Sequence, residues 1–333
     1  MELKKYTDII KKSIIEILDS YKELPSIGEW TIDSLEKIKN FSINGKLIRG
    51  ALICLIEDKI KGSYSENSIK TSVAIELLQS GLLIHDDIMD NDDIRRGQTS
   101  IHAQYRNKYQ NSKNPQKLGE SLGICLGDIC FFLSFDILSK IPKKEIMKEI
   151  ITLFSKEMIT VGLAQMQDIY FSEVYNIDPQ YEDIINLYKY KTARYSFSLP
   201  LIAGAYISEI KDEIPTLSIL GEKIGILFQI KDDYIDLFSS TEEIGKPVGS
   251  DIINEKKTII FYYLKEELKV KNLSDYTIKE IKEIIEQKGI NKKIQKIVDN
   301  LLKEINNIIE NISNESLKNE LKKVSQFVIE RKK

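Results

Sequence analysis

Two apolar helical runs, distant in the chain, each end in the same acidic pattern, and that pairing limits the folds open to the sequence. The first lies in Gln79–His102, QSGLLIHDDIMDNDDIRRGQTSIH, with Asp86, Asp87 and Asp90 followed by Asp92, Asp93, Arg95 and Arg96. The second begins at Gly225, GILFQIKDDYIDLF, and repeats the spacing as Asp232, Asp233 and Asp236. In a helix Asp86 and Asp90 share one face, and so do Gln229, Asp232 and Asp236. Like charges at that spacing repel, so the arrangement helps only if a cation lies between them. Hard divalent ions take oxygen ligands, and Mg²⁺ is commonly held by one or two carboxylates plus phosphate oxygens. The two arginines add permanently charged forks suited to phosphate. The first stretch alone reads equally well as a solvated acidic helix end. The second shifts the balance toward two helices opposed across a cavity, with magnesium and a diphosphate between them.

Elsewhere apolar residues recur every three or four positions and β-type alternation is hard to find, which predicts an all-α chain. The expected helices are Met1–Tyr21, a short one at Ile32–Lys39, Gly45–Lys61, Ser65–Asp90, Leu118–Ser139, Lys143–Phe171, Pro179–Lys191, Ser196–Ile207 and Pro215–Phe238. In Gly45–Lys61, Lys46 and Arg49 fall one turn apart on one face. Asn107–Pro115 is a polar break and Ser239–Glu255 a glycine- and proline-bearing loop. Lys256–Lys265 starts a last core helix, and Lys269–Lys333 reads as peripheral helices without a recognisable motif. With no repeat of fixed period and no low-complexity linker, residues 1–333 are expected to form a single domain.

The 333 residues carry 48 basic and 51 acidic side chains, a net charge of −3. No global basic field argues for nucleic acid. Three cysteines (Cys54, Cys125, Cys130), none in a metal-type spacing, fit a reduced, cytoplasmic protein. The N-terminal residues lack the apolar run of a signal peptide or anchor. Leu118–Leu138 is apolar but interrupted by Asp128 and Asp136, so it reads as a helix buried in protein rather than a transmembrane segment.

Taken together, these motifs resemble the trans-isoprenyl diphosphate synthases, the head-to-tail prenyl-elongating enzymes. The resemblance includes Gly45-Lys46-Leu47-Ile48-Arg49, Arg95-Arg96-Gly97, Gln165 with Asp168, Lys191-Thr192, Phe228-Gln229, Gly245 to Asp251, and Lys257-Thr258, in the family's order. The phrasing HDDIMD and GKPVGSDI looks most like archaeal geranylgeranyl diphosphate synthases. What the resemblance implies is a bundle of long helices around a central cavity, a homodimer, and two or three Mg²⁺ ions held by Asp86, Asp90, Asp232 and Asp236. Asp87 and Asp233 complete the catalytic clusters. Arg95, Lys191, Thr192, Gln229, Lys246 and Lys256 would serve the allylic diphosphate. Lys46, Arg49, Gln79 and Arg96 would hold isopentenyl diphosphate.

Three positions depart from the family. Gln79 stands where His is usual, seven residues before the first Asp; it can donate to phosphate but carries no charge. Gly50 replaces a frequent proline, and Glu255 replaces the glycine before Lys256-Lys257-Thr258. His85 and His102 read as hydrogen-bonding structural histidines, since magnesium prefers oxygen. In the family, bulk at the fourth and fifth positions before the first Asp limits product length. Here these are Leu82 and Gly81, with Leu78 one turn further on. The absence of an aromatic there implies a product beyond fifteen carbons, geranylgeranyl diphosphate first and twenty-five or thirty carbons as the alternative. Phe131, Phe132 and Phe135 are candidates for a deeper floor, though core packing explains them as well. A terpene cyclase would not show the Gly45–Arg49 segment with a second cluster of this form. A non-catalytic partner subunit would be expected to have lost a cluster, and a calcium loop would need different spacing.

Overall fold

A computed structural model describes residues 3–174, 177–238, 249, 252, 256–269, 273 and 276–331. By internal contacts the chain falls into two compact units. One comprises Glu2–Thr152 with Ala203–Glu209; the other comprises Leu153–Ile202 with Ile210–Lys333.

The N-terminal unit contains α1 (Leu3–Ser20), α2 (Trp30–Ile43), α3 (Ile48–Lys61), α4 (Glu66–Met89), α5 (Ile101–Lys108), α6 (Pro115–Ser139) and the start of α7 (Lys144–Glu173). Among the described residues the only β structure is the two-stranded ribbon β1 (Ile94–Arg95) and β2 (Gln98–Thr99). Helix α4 is its axis, with every residue from Thr71 to Gly81 buried. Such all-round burial explains why this helix lacks a polar stripe. Its start is set by Ser65, whose side chain accepts from the Ser68 N–H. Helix α6 lies against α4 and α5 through a line of glycines. A Cβ on Gly123 would come within 2.8 Å of Ile88, and one on Gly127 within 2.2 Å of the His85 ring. Side chains there would force the first acidic cluster away from α6. By length and composition α6 could cross a membrane; 44% of its apolar window is buried inside the protein.

The C-terminal unit is built on α10 (Ile214–Phe238). Helix α8 (Tyr181–Leu187) continues as a π-helical segment, Tyr188–Ser198, and then as α9 (Leu199–Ser208). The π segment lies along α10 so closely that a Cβ on Gly225 would meet the Ala193 Cα at 2.3 Å. Helices α11 (Ile259–Leu268), α12 (Ile278–Gln287), α13 (Ile290–Glu310) and α14 (Glu315–Glu330) complete the unit, with α13 and α14 packed on α10. Thr258 caps α11, and Thr277 with Glu280 forms a capping box on α12.

The all-α expectation is borne out. Several local readings need correction. Helix α2 is a full helix from Trp30, not a short one from Ile32. Helix α3 starts at Ile48, because Leu47 adopts a left-handed conformation (φ 53°) that ends regular helix geometry, so Lys46 sits on a loop instead of one turn before Arg49. The expected break between Lys191 and Ser196 is instead continuous π-helix. The expected loop at Ser239–Glu255, Gly249 and Ile252 apart, lies outside the described residues.

Candidate active site

The first acidic cluster occupies the last turn of α4. The helix ends in a left-handed residue, Asn91 (φ 53°), with the Asn91 N–H directed at the Ile88 carbonyl and the Asp92 N–H 2.8 Å from the Asp87 carbonyl. This is a Schellman end. Carboxylates at a helix C-terminus face the negative end of its dipole and are unstable there without a cation. Arg95 supplies one. Its Nε donates to Asp87 Oδ1 at 2.5 Å and its Nη2 lies 3.4 Å from Asp86 Oδ2. A hairpin returns Arg95 to the cluster: β1 and β2 are joined by Arg96 and Gly97, both at positive φ (54° and 73°), the signature of a type I′ turn. An arginine in that conformation is uncommon and stores strain beside the site. Burial pushes the Asp87 carboxyl up to about 6 despite the opposing charge of Arg95. Its Oδ2 is buried with no hydrogen-bond partner among the described residues. Asp86 and Asp90 are more open than Asp87.

A cationic corner adjoins this cluster within the same unit. Arg49 projects from the first turn of α3, and Lys46 is exposed on the loop before it. Arg96 donates to the Phe41 carbonyl at 3.2 Å and lies over the Phe41 ring. Gly45 permits this close approach, since a Cβ there would stand 3.2 Å from both terminal guanidinium nitrogens. Beneath them sits Glu76 of α4, 5% exposed. It accepts the Gly50 N–H at 2.8 Å, which accounts for a departure from the family pattern: a proline at 50 would have no hydrogen to give. Burial raises the Glu76 pKa, and the charges of Arg49 and Arg96 oppose the rise. Gln79, one turn before Leu83 on the same helix, is 6% exposed and its Oε1 has no hydrogen-bond partner among the described residues. On the outer side a cleft of about 230 Å³ runs between α2, the hairpin and α5, lined by Lys37, Asn40, Asn44, Arg95, Arg96 and Gln98 among others.

The second cluster belongs to the C-terminal unit. Asp232 is half-exposed and bound by Arg331, whose Nη2 lies 2.5 Å from Oδ1 while its guanidinium stacks 3.9 Å above Phe228. Asp233 and Asp236 are buried, at 4% and 5% exposed. Asp233 accepts from Gln229 Nε2 at 2.9 Å and from the Tyr188 hydroxyl. Gln229 therefore serves its neighbour Asp233 here. Lys191, on the π segment beside Thr192, pairs with Asp168 of α7. Lys256 precedes the capped start of α11, and Lys257 is buried over the Phe261 ring, 4.3 Å from its centre. Lys246, expected to serve the allylic diphosphate, lies outside the described residues. Sequence reading missed Glu76, Tyr188 and Arg331. Only their long-range partners reveal them.

The chain-length positions separate into two environments. Leu82, one turn before Asp86, is partly open, and Leu78 is fully buried. Gly81 does not open onto free space: a Cβ there would meet the Phe131 ring at 2.6 Å and the Gly127 carbonyl at 2.8 Å. Phe131 fills the volume that a side chain at 81 would take. His85 holds that ring edge-on, with centroids 5.3 Å apart, and its Nε2 lies 3.0 Å from the Ile124 carbonyl. His102 is 2% exposed against Ser100 and Asp93, and burial lowers its pKa. Both histidines have structural partners.

The donor set suits a hard cation. In each unit it is made of carboxylate oxygens; Asp87 keeps a buried oxygen without a hydrogen-bond partner among the described residues, and Asp86 and Asp232 each already face a guanidinium. Among the described residues no three acidic, histidine or cysteine groups converge into a ready-made cage. Magnesium does not need one, because it keeps waters and phosphate oxygens beside one or two carboxylates.

Residues 33–301 match the family model of the polyprenyl synthetases. A short chain isoprenyl diphosphate synthase of Methanocaldococcus jannaschii is 31% identical over 294 residues, 83% of each chain. A geranylgeranyl diphosphate synthase of Sulfolobus acidocaldarius is 32% identical over 77% of this chain and 72% of its own. A farnesyl diphosphate synthase of Bacillus subtilis is also 32% identical, over 83% and 88%. The fold is that of a solved geranylgeranyl pyrophosphate synthase from Corynebacterium glutamicum, complexed with isoprenyl diphosphate and magnesium (TM-score 0.90, 23% identity, 99% and 100% of the two chains). With its acidic helix ends, paired arginines and family match, the chain belongs to the polyprenyl synthetase family and is a prenyltransferase of the trans-prenyl diphosphate synthase type.

Proposed function

We propose that the enzyme joins isopentenyl diphosphate head-to-tail to an allylic diphosphate and releases geranylgeranyl diphosphate, working as a single catalytic domain in a cytoplasmic homodimer. The observation that carries the reaction is the Asp86–Asp87–Arg95 contact at the end of α4: acids and a cation held ready for a diphosphate. In this reading Asp86, Asp90, Asp232 and Asp236 would hold Mg²⁺, which supplies charge neutralisation for the departing diphosphate. Arg95 and Lys191 add fixed positive charge where negative charge grows on that leaving group. Lys191 would exchange Asp168 for phosphate oxygens. Lys46, Arg49 and Arg96 hold the second diphosphate so that the isopentenyl double bond meets the allylic cation, and Gln79 donates from beneath. Proton loss to the departing diphosphate then completes a chain five carbons longer. The protein's remaining work is orientation and exclusion of water.

The length assignment rests on Leu82 and Phe131. No aromatic stands at 81 or 82, yet Phe131 closes the space beside Gly81. The homodimer reading draws on exposed apolar residues that need cover: Ile124, Ile129 and Phe132 on α6, and Ile159, Leu163 and Met166 on α7. The test is incubation with labelled isopentenyl diphosphate and dimethylallyl, geranyl or farnesyl diphosphate, followed by product sizing. Twenty carbons are expected, and Phe131→Ala is expected to lengthen the product by one or more five-carbon units. Termination at fifteen carbons, or an unchanged distribution in active Phe131→Ala, would reject the assignment. No incorporation with any primer would favour a non-catalytic partner subunit.

The two diphosphate sites also separate kinetically. Arg49→Ala is expected to raise KM for isopentenyl diphosphate about ten- to hundredfold, the effect of one charged hydrogen bond. Lys191→Ala should act mainly on the allylic substrate. Michaelis constants that move the opposite way would reverse the assignment of the pockets.

A further inference from the structure

We infer that Tyr188 is a positioning residue for the second acidic cluster, acting through its hydroxyl on Asp233. Tyr188 is 5% exposed and opens the π segment that also carries Lys191 and Thr192. Its oxygen accepts the Ile259 N–H at 2.8 Å, at the first residue of α11. A phenol has one hydrogen to give. With the Ile259 N–H occupying a lone pair, that hydrogen is directed to the Asp233 carboxylate. Asp233 is itself 4% exposed, so its orientation is set by the donors that reach it, the Tyr188 hydroxyl and Gln229 Nε2. One hydroxyl therefore ties together three elements of the C-terminal unit: the Lys191 segment, the start of α11, and the turn of α10 bearing Asp232 and Asp236. Losing it removes the donor that links Asp233 to the Lys191 segment and to α11, while Gln229 still holds the other carboxylate oxygen, and so loosens the register of the adjacent carboxylates with Lys191.

This inference rests on the reading that the second cluster serves ionisation of the allylic diphosphate, and the test separates the two. Turnover is measured for Tyr188→Phe in the parent and in Asp233→Asn, with folding followed by circular dichroism. Tyr188→Phe should lower kcat about ten- to hundredfold, the range of a hydrogen bond to a charged group. KM for isopentenyl diphosphate should hold within about twofold, because that substrate lies elsewhere. In Asp233→Asn the same substitution should change kcat less than about twofold, because the partner is already altered. Replacement of Tyr188 by 3-fluorotyrosine keeps ring and hydroxyl and should restore turnover. Exchange of the Ile259 amide should speed up in Tyr188→Phe and not in the fluorotyrosine protein. Full activity in Tyr188→Phe, an equal loss in both backgrounds, or failure of fluorotyrosine to rescue would overturn the inference. Wild-type turnover in Asp232→Ala would instead remove the reading beneath it.

Discussion

Asp86→Ala and Asp232→Ala are each expected to lower turnover by about 10²- to 10³-fold, the cost of removing one preorganised electrostatic partner from a transition state. The fold should survive both changes. Asp86 and Asp232 are partly open to solvent, at 23% and 48% of their side chains, so neither alanine leaves a buried void. Arg95 keeps its bond to Asp87 in the first variant. Arg331, whose side chain is 6% exposed, loses its acidic partner in the second and keeps its stacking on Phe228, so that variant should lose about 1–2 kcal/mol, less than a fully buried pair because Asp232 is half-exposed. Melting temperatures within a few degrees of the parent, with turnover nearly abolished, is the expected pair of results. Near-parental turnover at saturating magnesium in either variant would refute a reaction that needs both clusters.

Glu76→Ala should produce the largest loss of stability among the site variants, about 2–4 kcal/mol. The side chain is buried, accepts the Gly50 N–H, and offsets the charge of Arg49 and Arg96. Alanine would leave that N–H without its acceptor and remove a carboxylate that acts on the charges of Arg49 and Arg96. The full value for a broken buried pair is not expected, because Arg49 is only partly buried and Arg96 is exposed. Glu76→Gln keeps an acceptor for Gly50 and should lose less. Its pH dependence is also diagnostic. A carboxyl whose folded pKa lies above its unfolded value stabilises most fully below the unfolded value, and that contribution is lost as pH rises through the folded one. Glu76 has this direction of shift. The stability of the parent relative to Glu76→Gln should therefore decline as pH rises from the ordinary carboxylate range. Urea unfolding across pH measures it, and a difference that grows with pH would show that Glu76 is net stabilised as an anion.

The acidic clusters were legible because a repeated pattern of like charges at the ends of apolar helices has few purely structural explanations. Helix α4 was legible for the same kind of reason, a long periodic run opened by Ser65. What escaped were features set by contacts distant in sequence or by single backbone angles. Leu47 gives no sign that it will turn left-handed and place Lys46 off the helix. The hairpin at Ile94–Thr99 has two-residue strands, too short for alternation to register, though Arg96-Gly97 carries the turn's glycine. Tyr188 reads as ordinary helical filling until its hydroxyl meets Asp233, 45 residues away. Arg331 reads as a tail charge until it is found on Asp232, 99 residues earlier. The missing side chain at Gly81 gives no sign in the sequence that Phe131, on another helix, fills its place.

Whether each cluster takes up divalent metal with the allylic substrate can be read by anomalous diffraction from crystals grown with Mn²⁺ and a non-ionisable thio-analogue of that substrate. Metal peaks are expected at roughly 2.0–2.2 Å from carboxylate oxygens of Asp86 and Asp90 and from Asp232, with Arg331 displaced from Asp232. Metal confined to the first cluster, with Arg331 still bound to Asp232, would contradict that expectation.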